Sequence, residues 1–297
     1  MLSELSKYAG TAIARVLTDC EIGSVELCSK IRGDRALTYL EKEKFFPSLE
    51  QPSIAAVICP EYMADAVMKK GKSVLISDAP KFAFYSIHNY CANQQRPPME
   101  ATVIDESSYI SPHAIIAPYR VKIGARVIIE PGAVVRENVV IGDDVHIHSG
   151  AVIGAKSFNP ARYQDSTVLM EDCGGVQIGD HVDICSQSVI VCGVLQGEIT
   201  QIDPFAKIDT LVHVAHGVHI GRCSFVASGT VIAGNCDIGA NVWIGINSTI
   251  SNRIHIGDGA RVSLGAVVTK DVSAGQTVTG NFAIDHQTFL KNLKASL

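Results

Sequence analysis

From about residue 101 onward, aliphatic residues recur every six positions, and few folds tolerate that period. Ile123, Ile129, Val135, Ile141, Ile147 and Ile153 share one register, and a second small or apolar residue stands two positions before each: Val121, Val127, Ala133, Val139, Val145 and Ala151. The register breaks before Ile178 and resumes as Ile178, Ile184, Ile190, Ile202, Ile208, Val214, Ile220, Val226, Ile232, Ile238, Ile244, Ile250, Ile256, Val262 and Val268, with Gln196 the one departure. A helix repeats near 3.6 residues and an ordinary strand near 2. A repeat of six is the mark of a parallel β-helix, mainly β in class. Three hexapeptides close one triangular coil, so a residue and its partner eighteen positions on are stacked neighbours about 4.8 Å apart. Glycine, Asn and Asp following the core positions are expected to supply the left-handed backbone of the corners.

The composition agrees. The chain of 297 residues is 47% hydrophobic but only 6% aromatic, as suits thin layers of Val, Ile, Leu and Ala. A net charge of −5 without a basic stripe argues against nucleic acid as partner. Nine cysteines with no Cys-x-x-Cys pair read as reduced thiols of a cytoplasmic protein. The N-terminus lacks a signal-peptide core, and no apolar run reaches transmembrane length.

Residues 1–100 show no short period and read as a small α/β domain. A helix is predicted over SELSKYAGTAIARVL, capped by Ser3, with Leu5, Tyr8, Ala12, Ile13 and Val16 on one face. IAAVIC (54–59) and SVLISD (73–78) read as buried strands around a helix-like EYMADAVMKKG, and FAFYSIHNYC (82–91) as a further helix. QQRPPME (94–100) reads as a linker into a β-helix at 101–275. Within that β-helix, the polar stretch 155–175 is expected to leave the coil as a long loop for binding or subunit contact. Residues 276–297 are expected to end the chain in a short helix that caps the stack.

Three histidines, His213, His216 and His219, fall within ten residues of this repeat. His213 and His219 each precede a core position and should point outward from different walls. His216 falls at a corner, with Gly234 eighteen residues on and therefore beside it. A base next to a side-chain-free N–H is what acyl transfer requires: the imidazole takes the proton of an attacking amine and the N–H steadies the oxyanion. Asp209, seven residues before His216, could orient the imidazole. Solvated surface histidines are the plainer alternative.

These residues carry a resemblance. Asp209-Thr210-Leu211-Val212-His213-Val214-Ala215-His216-Gly217-Val218-His219-Ile220-Gly221 is similar to the core motif of the UDP-3-O-acylglucosamine N-acyltransferase family of the lipid A pathway. The resemblance implies a left-handed β-helix, His216 as catalytic base, Asp209 as its orienting acid and Gly234 as the oxyanion glycine. It also implies a homotrimer with sites in the clefts between subunits. The N-terminal part resembles the family's nucleotide-binding domain, where Thr38-Tyr39 and Phe45 take the places that sandwich uracil.

Several positions depart from the family pattern. Lys42 stands where the family has a uracil-binding Asn, and Asn252-Arg253 replaces a second Gly-His pair. Lys156-Ser157-Phe158-Asn159 replaces the Asp-Gly-Phe-Gly loop, and the C-terminal extension that grips acyl carrier protein is short. Gly280-Asn281 is reminiscent of coenzyme A-dependent sugar acetyltransferases. The expectation is thus a divergent member without a bound cofactor. It would move an acyl group from an acyl-carrier-protein or coenzyme A thioester to the amine of a nucleotide-linked amino sugar. A short-chain acetyltransferase using acetyl-CoA is the alternative, and a γ-carbonic-anhydrase-like zinc enzyme a weaker one. Zinc would need His213, His216 and His219 to converge, and the coil geometry separates them.

Overall fold

A computed structural model describes residues 1–28, 31–94, 98–280 and 285–296; positions 95–97 of the expected linker, Asn281 and the start of the expected C-terminal helix lie outside the described residues. The chain forms two compact units, one of residues 1–98 with 158–173 and one of residues 99–157 with 174–297.

The first unit is an α/β layer. Its sheet has the order β1(Ala14–Val16)-β5(Ser73–Ser77)-β4(Ile54–Cys59)-β3(Ala36–Tyr39)-β2(Ser24–Val25), parallel except at β1. Helices α1 (Leu2–Leu5), α2 (Ala64–Lys69) and α3 (Pro80–Gln94) accompany it. The N-terminal helix is much shorter than its apolar spacing suggests. Gly10 takes φ +71°, and beyond it Ala14–Val16 runs as a strand beside β5. Ser3 does not cap the helix; its hydroxyl donates to Asp19 at 2.6 Å, and Ile13 is exposed.

Residues 155–175 do not form a bare loop. Pro160–Tyr163 and Ser166–Leu169 pair as an antiparallel hairpin. It is fastened to α3: Asn89 Nδ2 donates to the Leu169 carbonyl at 2.7 Å, and the Glu171 N–H to Asn89 Oδ1 at 2.8 Å. The excursion belongs with the α/β unit because its polar backbone finds partners there.

The second unit is a left-handed parallel β-helix whose three walls are sheets of eight, nine and eight strands. In chain order the first wall begins at Val103–Ile104, the second at Tyr109–Ile110 and the third at Ile115–Ile116. The register residues stack inside, and Ile129, Ile147, Ile184, Ile208 and Ile244 are fully buried along the second wall. Each such side chain contributes about 1.5–3 kcal/mol by leaving water. Terminal helix α4 spans His286–Ser296.

Two corners of the triangle are uniform, and the third is not. Passing from the first wall to the second, or the second to the third, always takes six residues, as from Ile220 to Val226 to Ile232. All departures fall between the third wall and the first. Ile116 leads to Ile123 in seven residues, Ile153 to Ile178 through the hairpin, Ile190 to Ile202 through a further excursion, and Val268 to Val272 by a shortcut. Gln196 breaks the sequence register because residues 192–198 belong to no wall.

The glycines serve two purposes rather than the one expected. Gly217 and Gly229 lie at positive φ (63° and 69°), as turn residues should. Gly221 does not. A Cβ there would come within 2.5 Å of the Gly239 carbonyl carbon in the next coil, so close backbone approach selects glycine.

Candidate functional site

His216 sits on the irregular corner. Strand His213–Val214 ends the third wall, His219–Ile220 opens the first, and residues 216–217 make the turn between them. The turn is fixed on both sides. Gly217 N–H donates to Thr200 Oγ1 at 2.9 Å toward the preceding coil, and the His216 carbonyl accepts from Asn235 N–H at 2.9 Å in the following one.

The imidazole lies against Gly234. A Cβ on that glycine would fall 2.7 Å from His216 Nε2, 2.8 Å from Cε1 and 3.2 Å from Cδ2. Gly234 is not among the positive-φ residues; Asn235 takes that role at φ 64°. Backbone conformation therefore does not require glycine here, and the histidine ring does. The flanking N–H groups of Ala233 and Asn235 are spent on Ile250 and His216 carbonyls, at 3.0 and 2.9 Å. Among the described residues, the N–H of Gly234 donates no hydrogen bond.

On the other side of His216, one coil earlier, the same corner carries the 192–198 excursion. It is a tight structure closed by a buried carboxylate: Glu198 Oε2 accepts the N–H groups of Val194 at 2.8 Å and Leu195 at 3.1 Å. Val194 and Leu195 are themselves buried. His216 is thus flanked along this corner by a folded apolar shelf and a glycine.

Asp209 stands elsewhere. It follows strand Lys207–Ile208 of the second wall, whereas His216 follows the third-wall strand. A whole wall, on the order of 15 Å, separates them within one chain. The Asp209 carboxylate is already engaged, accepting Thr210 N–H at 2.7 Å, Ser228 N–H at 3.0 Å and the Ser228 hydroxyl. The Ser228 hydrogen bond, first among the causes, holds this carboxyl below its usual range against the opposing effect of burial.

The other two histidines diverge as their wall positions require. His213 pairs in register with Val189 and Val231, and burial lowers its pKa. His219 lies in the first wall between two carboxylates, Nδ1 at 2.8 Å from Asp237 and Nε2 at 2.9 Å from Asp203. Burial pushes its pKa down, but those two aspartates together raise it. The three histidines do not meet at a point.

The base-stacking candidates lie where the parallel strand β3, next to the edge strand β2, ends and a 3₁₀ turn, Glu43–Glu50, begins. Open α/β sheets take ligands at such strand ends. Tyr39 is half-buried with its ring 5.0 Å from that of Phe84, while Phe45 and Lys42 are exposed.

One cluster was missed in the sequence. Glu130, His146 and His148 bring three donor atoms within 4.8 Å of one another on the second wall. The signal was legible: a His-x-His pair whose second member stands eighteen residues after a glutamate.

Comparison with known proteins gives the chain relatives. A family model described as bacterial transferase hexapeptide (six repeats) matches residues 120–155. A UDP-3-O-acylglucosamine N-acyltransferase of Caulobacter sp. (strain K31) is 36% identical over 48% of this chain and 41% of its own length. A protein of the same name from Leptothrix cholodnii is 27% identical over 88% of this chain and 84% of its own. The match spans less than half the length of the first curated relatives. Among solved structures, UDP-N-acetylglucosamine acyltransferase of Francisella novicida superposes with a TM-score of 0.50 at 24% identity, over 64% of this chain and 71% of its own. That likeness speaks for the fold alone.

Proposed function

We propose that this chain, a divergent relative of the UDP-3-O-acylglucosamine N-acyltransferases, transfers an acyl group from a thioester to the amine of a nucleotide-linked amino sugar. The observation that carries the reading is the contact of His216 with Gly234, where a glycine is kept for the ring and not for the backbone. The amine nitrogen attacks the thioester carbonyl, and His216 takes its proton as the C–N bond forms. The Gly234 N–H stabilises the oxyanion. The intermediate collapses with cleavage of the C–S bond, the thiol leaves carrying a proton, and an amide remains.

In this reading Tyr39 and Phe45 hold the base of the nucleotide, with Lys42 beside them. The enzyme works as a homotrimer in the cytoplasm, and among the described residues no helix is long and apolar enough to cross a membrane. Asp209 lies a wall away from His216 in its own chain. It can orient the imidazole only when supplied by a neighbouring subunit.

The test is product identification by mass spectrometry after incubation with defined acyl-carrier-protein and coenzyme A thioesters and with UDP-, GDP- and dTDP-amino sugars. Amide formation from an acyl-carrier-protein or acyl-coenzyme A thioester is the expected result. Acetylation from acetyl-CoA alone would favour the short-chain alternative, and no transfer from any donor would refute the reading.

A further inference from the structure

Away from the His216 corner, the coil period itself assembles a second set of donors. His146 and His148 are two residues apart at strand His146–Ile147 of the second wall, so both leave its outer face while Ile147 is buried. Glu130 is stacked against His148, because Ile129 pairs with Ile147 in adjacent coils. His146 Nε2 lies 2.8 Å and His148 Nδ1 3.2 Å from the same oxygen, Glu130 Oε1. The two rings are stacked with centroids 3.8 Å apart. Ser149 takes the other carboxylate oxygen, donating to Oε2 from its N–H at 2.9 Å and its hydroxyl at 2.8 Å. Oε1 is thereby left turned toward both imidazoles, and all three side chains remain 28–30% exposed to solvent.

We propose that Glu130, His146 and His148 bind a first-row divalent cation, Zn²⁺ above all, leaving one coordination position to water. Two imidazole nitrogens and one carboxylate oxygen are the donor set of an open zinc site. With metal–ligand bonds near 2.0–2.1 Å, tetrahedral donors stand about 3.3 Å apart. The His148–Glu130 separation of 3.2 Å nearly meets this, and His146 has to withdraw only by a few tenths of an ångström from 2.8 Å. A cation would take a lone pair from each of the three groups. The wall fixes the backbone of all three donors, and Ser149 orients the carboxylate as an outer-shell partner does.

The experiment uses the full chain stripped with a chelator, titrated with Zn²⁺ by calorimetry and with Co²⁺ by visible absorption. Saturable binding of about one ion per chain is expected, with the intense absorption of four-coordinate Co²⁺. Glu130→Gln and His148→Ala should abolish it, and Ser149→Ala, which keeps every ligand, should weaken it by about tenfold. His255→Ala, at a separate histidine–carboxylate contact, should bind as the unaltered chain does. A chain that takes up no Co²⁺ overturns the proposal without recourse to any variant, and so does binding that Glu130→Gln leaves unchanged in a folded protein.

Discussion

The second and third corners of the coil bound the same wall and are built from the same hexapeptide, yet they differ in kind. The second corner never varies in length. It carries the stacked positions Glu130, His148, Cys185 and Asp209. Asp209 is tied to Ser228 and Glu130 to Ser149. The third corner holds every insertion and deletion in the β-helix, and there His216 faces a glycine instead of an acid. A solenoid can lengthen a corner without disturbing its walls, so its variable corner is the natural place for a binding surface. The partner supplied by the next coil then decides the setting of a histidine: His219 meets the Asp237 carboxylate, which raises its pKa, and the His216 ring lies against Gly234.

The contrast breaks most severely at His216 itself. His216→Ala should lower acyl transfer by about 10²–10⁴-fold with the state of assembly and the circular dichroism unchanged. Asp209→Asn should also be inactive if the second corner of one subunit serves the third corner of its neighbour. Co-assembling the two inactive variants in equal amounts should then restore about a quarter of the activity, since a quarter of the interfaces pair an intact His216 with an intact Asp209. Mixed assemblies that stay inactive would remove Asp209 from the site.

Gly234→Ala should have a smaller effect. Its backbone angle admits alanine, so the fold should survive, but the new Cβ displaces the imidazole. A shift of about 1 Å should lower kcat by about 10²-fold. An active, stable Gly234→Ala variant would mean the contact is only packing.

The smallest effect concerns His219. Its folded pKa is raised above about 6.5, so its bonds to Asp203 and Asp237 stabilise the fold fully below that pH and are lost as pH rises through the raised value. Asp237 is shifted the other way: burial raises its pKa, but His219 and His255 lower it further, so its share is present above about pH 4 and lost as pH falls. His219→Asn should flatten the decline in Tm between about pH 6 and 8, by on the order of 1 °C, because the groups are well exposed. A slope unchanged by the substitution would place the proton elsewhere.

Much of this was legible from residue spacing. The six-residue period determined the walls, the buried positions and the stacking of His216 on Gly234, because no insertion falls between them and eighteen residues is one coil. The same arithmetic exposed His213 and His219 as wall residues. Local sequence did less well at the N-terminus. Apolar spacing there suits a helix, but β5 offers an edge that draws Ala14–Val16 into the sheet.

Tertiary structure decided the rest, for reasons that a period does not contain. The excursion at 192–198 adds six residues, which leaves the register intact on either side while moving every later residue by one wall. Only the strand pairing of Ile178 with Ile202 reveals it. The hairpin at 160–169 is set by hydrogen bonds to α3, a segment distant in sequence. The separation of Asp209 from His216, seven residues apart and a full wall distant, follows from where the turns fall. Spacing ranks neighbours along a wall; three-dimensional closure determines which corner each residue occupies.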